Sequence, residues 1–575
     1  MSIFKRPKQE VKKQRNAFDM SQRQLFTSSV GQCLPVYYDL LQPGDKINID
    51  SALLTRTQTL SSNPMTRVTE HIDYFFVPYR RIWSNWNQYY TQMWNDINSS
   101  KLFPSTQVEI PSINLATLIS SVPHVDVSSW QIGDPYPIDS TNSDQFGILK
   151  EHNAKRLLDL LGFGINTFGN LYNNPGTFMI NPALLCAYHA INRDFYRLTD
   201  REIPSITLSN MDDYYNNPPS SDILSIYYRP WKRDFYTNIE TSPLFGGYQT
   251  PNSPLTMPQG LLSSNTGSLI NGNTYTDPNT AEIPGTTTNI DNTSTHDVRY
   301  LNMDRIRQSA ALERLAQLQR YNEKFWNAQM SALFGMEVPD NYDHCVYLGS
   351  HHSNLQFSDV VGTATTSDSV LGEIVGKGIG LPQSQKPIKF ETKQHGFLMA
   401  IYSATPESDY MALGLDRLHT YTSRNCFYQS VFDNLGPQPK FAYQSNMTGN
   451  STLNASVLGW EYRWSELKSK PDLVHGAFSS SLRHWVTHRS AQTMGITYPN
   501  FCIDPSYLDS VMLVSFINAI TYTSSEVAEV VRKRFNAYIN DAFGRDPLLH
   551  QLYFKAFKIS AMSEFALPSH NSVML

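Results

Sequence analysis

Between residues 15 and 83 the chain alternates apolar, extended runs with Pro and Gly stops, and this punctuation limits the fold more than any other feature. Lys46-Ile-Asn-Ile49 and Val68-Thr-Glu-His-Ile-Asp-Tyr-Phe-Phe-Val77 combine β-branched and aromatic residues with partial alternation. That is the pattern of strands, and Pro78 ends the second one because it has no amide to donate onward. Leu34-Pro35-Val36 and Pro43-Gly44-Asp45 supply further breaks. Similar strand signals recur at Ile223–Tyr228 and Phe397–Tyr402. Strands so far apart must pair across long connections, which favours a sandwich with large insertions over a meander of tight hairpins.

The 575 residues give room for about four average domains, although all-β folds commonly run longer as one unit. With 32 Tyr, 29 Phe and 9 Trp against only 17% charged residues, much of the surface is destined for contact or burial. Charge is unevenly placed. Residues 1–15 carry Lys5, Arg6, Lys8, Lys12, Lys13 and Arg15 against Glu10, a balance of +5, so with a whole-chain charge of −5 the remainder carries −10. This arm is either a polyanion ligand, drawn to phosphates by a salt-sensitive attraction, or a solvated terminus.

Cys33, Cys186, Cys345, Cys426 and Cys502 are dispersed with no CxxC spacing, so no cysteine zinc site is indicated. Such a set reads as buried thiols of a protein made in a reducing cytoplasm. No apolar run is long enough to span a bilayer, and Met1-Ser-Ile-Phe-Lys5 has no apolar segment after it of the kind a signal peptide needs.

From Asp234 to Val298 there is no Lys or Arg, and the stretch is dense in Asn, Thr, Ser, Gly and Pro. It reads as an insertion over residues 235–300, either functional or simply a mobile polar loop. Asn302–Phe334 is the clearest helical pattern, with Asn302 as cap and Gly335 as stop, and core packing is the default role of its apolar face. A second helical pattern, Ser524–Ala542, contains Arg532-Lys533-Arg534.

Several constellations mimic chemistry and fail on spacing. Gly376-Lys-Gly-Ile-Gly380 lacks the Gly-Lys-Ser/Thr ending of a phosphate loop and reads as a flexible turn. Asp343-His344-Cys345 with His351-His352, and the pair His484 and His488, match no standard metal site. Glu461 and Glu466 among Trp460, Tyr462 and Trp464 have the content of a sugar-cleaving site, but the aromatic alternation suggests one face of a strand or interface. No catalytic residue, metal or cofactor is therefore expected. DNA contact remains: Arg532, Lys533, Arg534, Lys555 and Lys558 are interleaved with Phe535, Tyr553, Phe554 and Phe557, a mixture that neutralises phosphates and stacks unpaired bases. The competing reading of that set is a solvated face or a subunit contact.

An ordered series of motifs resembles the Microviridae major capsid protein family, especially its gokushovirus-like branch. It starts at Arg15-Asn-Ala-Phe18-Asp19 and continues with Tyr228-Arg-Pro-Trp-Lys-Arg-Asp-Phe-Tyr-Thr237, Asn302-Met-Asp-Arg305-Ile-Arg307, Phe334-Gly-Met-Glu-Val338 and Tyr347-Leu-Gly-Ser350. His395-Gly396, Asp504-Pro505 and Met562-Ser-Glu-Phe-Ala-Leu-Pro568 complete it. The resemblance implies a mainly β fold, an eight-stranded viral jelly-roll β-sandwich with long loop insertions and several helices. Along the chain this places a basic arm at 1–20, a first part of the body at 21–234, the insertion at 235–300 as a three-fold protrusion, a second part at 301–530 with helix 302–334, and a C-terminal helix and tail at 531–575. It further implies a T=1 shell of sixty copies with five-, three- and two-fold contacts, enclosing circular single-stranded DNA. The partners implied are a pilot protein, a small internal DNA-binding protein and a bacterial receptor. The location implied is the virion, assembled in the host cytoplasm without a membrane. Two other classes fit the composition: a carbohydrate-binding or carbohydrate-active β-sandwich, and a virion receptor-binding protein.

Overall fold

The structure is a computed structural model that describes residues 15–57, 65–91, 109–122, 147–164, 166–196, 211, 221–240, 262–265, 298–301, 314–315, 318, 325–335, 344–361, 374–381, 386–407, 409–433, 436–482, 485–486, 488–489, 548–562 and 564. Ten strands form one curled antiparallel sheet: β1 (Asn16–Asp19), β2 (Gln22–Ser28), β3 (Leu34–Leu41), β4 (Lys46–Thr57), β5 (Val68–Pro78), β6 (Val346–Val361), β7 (Ile374–Gly380), β8 (Ile388–Glu391), β9 (Gly396–Pro406) and β10 (Leu548–Ser560). The hydrogen-bonded path runs β1, β10, β4, β7, β6, β5, β9, β3; β2 pairs alongside on β10 and β8 on β4. The fold is thus mainly β and of the jelly-roll sandwich class, with eight strands along the path. The sequence signals at 46–49, 68–77 and 397–402 lie in β4, β5 and β9.

Burial follows from strand composition. β5 and β9 are buried along nearly their whole length, as expected for apolar runs covered on both faces. The helix α1 (Gly147–Leu160) packs on β3, and α2 (Ala183–Ile191) packs on β5 and β9. Tyr74, Phe75, Phe76 and Trp83 are almost completely buried in one continuous cluster, each worth roughly 1.5–3 kcal/mol of transfer free energy. At Gly396 a Cβ would stand 2.5 Å from the Val77 carbonyl oxygen, so the close β5–β9 approach requires glycine there.

Four expectations change. Residues 548–560, expected within a C-terminal helix and tail over 531–575, form β10; its strict alternation of buried and exposed residues has the two-residue period of a strand. Gly376–Gly380 is not a turn but part of β7, where Gly378 and Gly380 leave room for Thr57, Phe357 and Glu70. Ile223–Tyr228 is not a strand: Ser221–Leu224 is a 3₁₀ turn, and Tyr228 makes only an isolated bridge to Gln32. Within 302–334, Phe325 is extended and a helix α3 (Trp326–Phe334) begins after it, ending at Gly335 with φ 65°. Most of 302–324 lies outside the described residues, as does 524–542.

The chain divides into two units, Met1–Ile239 with Asn341–Leu435 and Pro439–Leu575, and a smaller one of Glu240–Asp340 with Gly436–Gln438. The smaller unit contains α3 and a two-stranded ribbon in which Leu262–Asn265 pairs antiparallel with Val298–Leu301. The ribbon lies within the polar insertion and at its end.

Candidate nucleic-acid interface

β10 joins the two ends of the chain. β1 and β2 pair with it on one side and β4 on the other, and the Asn16 side-chain amide donates to the Met562 carbonyl at 2.8 Å. Asn16 and Met562 therefore lie together at the same part of the sheet. Arg15, at the root of the arm, is exposed.

The outward face of β10 carries Leu549, Gln551, Tyr553, Lys555, Phe557 and Ile559. Opposite residues on antiparallel strands share a face, so Arg23 of β2 lies beside Tyr553, and Arg56 of β4 lies beside Leu549. Arg23, Arg56 and Lys555 are exposed, and none has an ion pair among the described residues. Lys555 stands across from Asp50 in register. Tyr553 and Phe557 are 45% and 39% exposed, four residues apart and hence about 13 Å along the strand. Unpaired cations alternating with open rings can neutralise phosphates and stack bases in any sequence.

The sequence-derived candidates fall out unevenly. Lys5, Arg6, Lys8, Lys12, Lys13, Arg532, Lys533 and Arg534 lie outside the described residues. Lys555 is on the open face. Lys558 points inward: its ammonium donates to Asp39 at 3.1 Å and to the Leu40 carbonyl at 2.7 Å and lies 3.8 Å from Asp45. It pins β10 to β3 and has no free charge to offer a phosphate. Neither Arg23 nor Arg56 sits in a basic run, and only the pairing on β10 gathers them.

The neighbouring buried polar group is a trio with the content of an acyl-transfer site. The Ser28 hydroxyl is 2.8 Å from His550 Nε2, and Thr55 Oγ1 lies between His550 Nδ1 (2.9 Å) and Glu70 Oε1 (2.6 Å). Tyr402 also donates to Glu70 Oε1. Ser28, Glu70 and His550 are all buried, and the network ties five strands together. Burial raises Glu70 to about 7 and lowers His550 to about 3.

Other sequence constellations resolve into structural contacts. Glu461 pairs with the buried Lys440 at 3.0 Å, and Arg417 stands 3.5 Å from both Glu461 and Glu466. Both carboxylates are thus occupied. His351 bonds Ser51 and the Lys386 carbonyl, while His352 meets His71 at 2.8 Å. Cys345 is buried and its thiol is pushed up by that burial. No group of three His, Cys, Asp or Glu suited to a metal occurs among the described residues, and His484 lies outside them. Among the same residues no helix is long and apolar enough to cross a membrane.

The sequence matches the family described as Capsid protein (F protein) over residues 8–122 and 178–495, more than half of the chain. The chain belongs to this family. Capsid protein VP1 of Chlamydia phage 1 is 29% identical over 171 residues, 28% of each chain. Capsid protein VP1 of Bdellovibrio phage phiMH2K is 22% identical over 475 residues, 78% of this chain and 79% of that one. Both relatives are Microviridae proteins, in agreement with the motif series. Membership in a capsid family makes the chain a shell subunit that works in many copies and resides in the virion.

Proposed function

We propose that the chain builds an icosahedral T=1 shell of sixty copies around a circular single-stranded DNA genome, and that its role is structural, not enzymatic. The observation supporting the DNA half is the open face of β10, where Arg23, Arg56 and Lys555 lie without ion pairs beside Tyr553 and Phe557, next to the root of a +5 arm. In this reading Lys5, Arg6, Lys8, Lys12, Lys13 and Arg15 hold phosphates, and Arg532, Lys533 and Arg534 add to them. Lys558 serves the fold. Residues 235–300 form an outward protrusion that meets symmetry mates or a bacterial receptor, and a pilot protein and a small internal DNA-binding protein complete the particle, which assembles in the host cytoplasm.

The arm is tested by changing its six cations to Gln in the full chain and measuring oligo-dT binding against salt. Each phosphate contact to a single strand contributes about −0.7 to the slope of log affinity against log salt, so losing six flattens it by about 4. An unchanged slope, with unchanged genome packaging, removes the arm from the DNA contact.

A further inference from the structure

The stretches 409–433 and 436–479 combine buried charge with exposed apolar side chains. Their interior holds charge: Lys440 is fully buried on Glu461, Arg417 reaches Glu461 and Glu466, and the Tyr421 hydroxyl donates to Glu466 at 2.7 Å. Their surface exposes large apolar side chains. Phe427 is 57% exposed, Tyr428 52%, Val431 81%, Tyr462 50% and Leu467 51%.

Contacts tie the segment 427–433 to the segment 462–468. Tyr428 packs edge-on to Trp464 at 5.7 Å. The Tyr462 carbonyl accepts from the Ser465 amide at the start of the short helix Ser465–Lys468, which carries Leu467. Lys468 stands 3.9 Å from Asp433, two residues beyond Val431. With a whole aromatic side chain presenting roughly 150–250 Å², the three half-open aromatics expose on the order of 300 Å², and Val431 and Leu467 bring the five to on the order of 500 Å². That is at the upper end of what a soluble monomer leaves uncovered, about 300–600 Å², and more than half of the roughly 800 Å² each partner gives to a stable interface.

We propose that this surface, centred on Phe427, Tyr428 and Val431, is a contact between copies of this chain in the shell. The inference rests on the shell reading above. A second copy is the occupant the chemistry fits. The rim carries both signs, with Lys468 opposite Asp433 and Lys470 opposite Asp416 at 3.6 Å, as suits a patch that meets the same chain. The buried ion cluster fixes the loops, so that the apolar side chains are presented without collapsing inward.

Cys426 supplies a probe, since it lies next to Phe427 and is partly exposed while Cys33, Cys186 and Cys345 are buried. In a Cys502→Ser background, maleimide labelling of Cys426 is expected to be at least tenfold slower in assembled particles than in free subunits. The double variant Phe427→Asp, Val431→Asp is expected to keep the subunit's melting temperature and lose at least tenfold in particle yield. Equal labelling in particle and subunit, protection already present in the free subunit, or wild-type assembly by the double variant overturns the contact. If the unmodified chain forms no particles, the shell reading falls and this inference with it; if the unmodified chain and the double variant assemble equally well, this inference alone falls.

Discussion

The buried Glu70–His550 pair holds one proton where the unfolded chain holds from none to two, and Glu70→Gln exposes that difference. Glu70, raised to about 7 by burial, keeps its proton in the folded state below that pH. His550, lowered to about 3 by burial, stays neutral, accepting from Ser28 and donating towards Thr55. The raised carboxyl contributes stability that is fully present below its ordinary value of 4.5 and is lost as pH rises through about 7. The lowered imidazole contributes stability that is present above its ordinary 6.5 and is lost as pH falls through about 3. Between 4.5 and 6.5 the two slopes cancel, so this pair adds no pH dependence to the native chain there. In Glu70→Gln only the imidazole is left. At about 1.36 kcal/mol per pH unit, the variant's stability relative to the native chain should rise by about 3 kcal/mol from pH 4.5 to 6.5. Urea unfolding of free subunits, with the two proteins compared at each pH, measures it. A native-minus-variant difference that stays constant across this window would falsify the one-proton description.

Three further outcomes follow from the same contacts. Lys558→Met should lower stability to urea by about 3 kcal/mol, because the buried Asp45 and the half-buried Asp39 are left without their cation; adding Asp39→Asn should restore part of it, and no loss would mean the pair is idle. Gly396→Ala should cost about 1–3 kcal/mol in the same assay, since the new methyl meets the Val77 carbonyl, whereas Gly449→Ala, where the space is open, should show no steric cost. Changing Arg23, Arg56 and Lys555 together to Gln should flatten the salt dependence of oligo-dT binding by about 2 without shifting the melting temperature; a full wild-type slope would mean that the β10 face does not meet DNA.

How much the sequence revealed depends on whether a residue's role is local. The run Val68–Val77 with Pro78 announces β5 because its alternation, aromatics and stop are contiguous, and Phe397–Tyr402 announces β9 likewise. Leu548–Ser560 alternates strictly in burial but not in sequence, since Leu549, Phe557 and Ile559 face outward and Lys558 inward, so its residues fit a helix and tail as well as a strand. What decides it is pairing with β4, roughly five hundred residues away in sequence. Gly376–Gly380 looked like a turn because glycine has no side chain to declare a face, and only the crowding by Thr57 and Phe357 explains it. The candidate interface divided in the same way. Lys555 and Lys558 are three residues apart and look alike in sequence, but the strand period puts one outward and the other on Asp39. Arg23 and Arg56 enter the interface only through register.

Particle imaging of the purified full-length chain bears most directly on the shell. Sixty copies of a 65.4 kDa chain should appear as closed icosahedral particles of about 3.9 MDa in protein, with β10 facing the nucleic acid and the Phe427–Val431 surface against a neighbouring copy. A chain that stays monomeric under assembly conditions, or closes with a different copy number, would contradict the account.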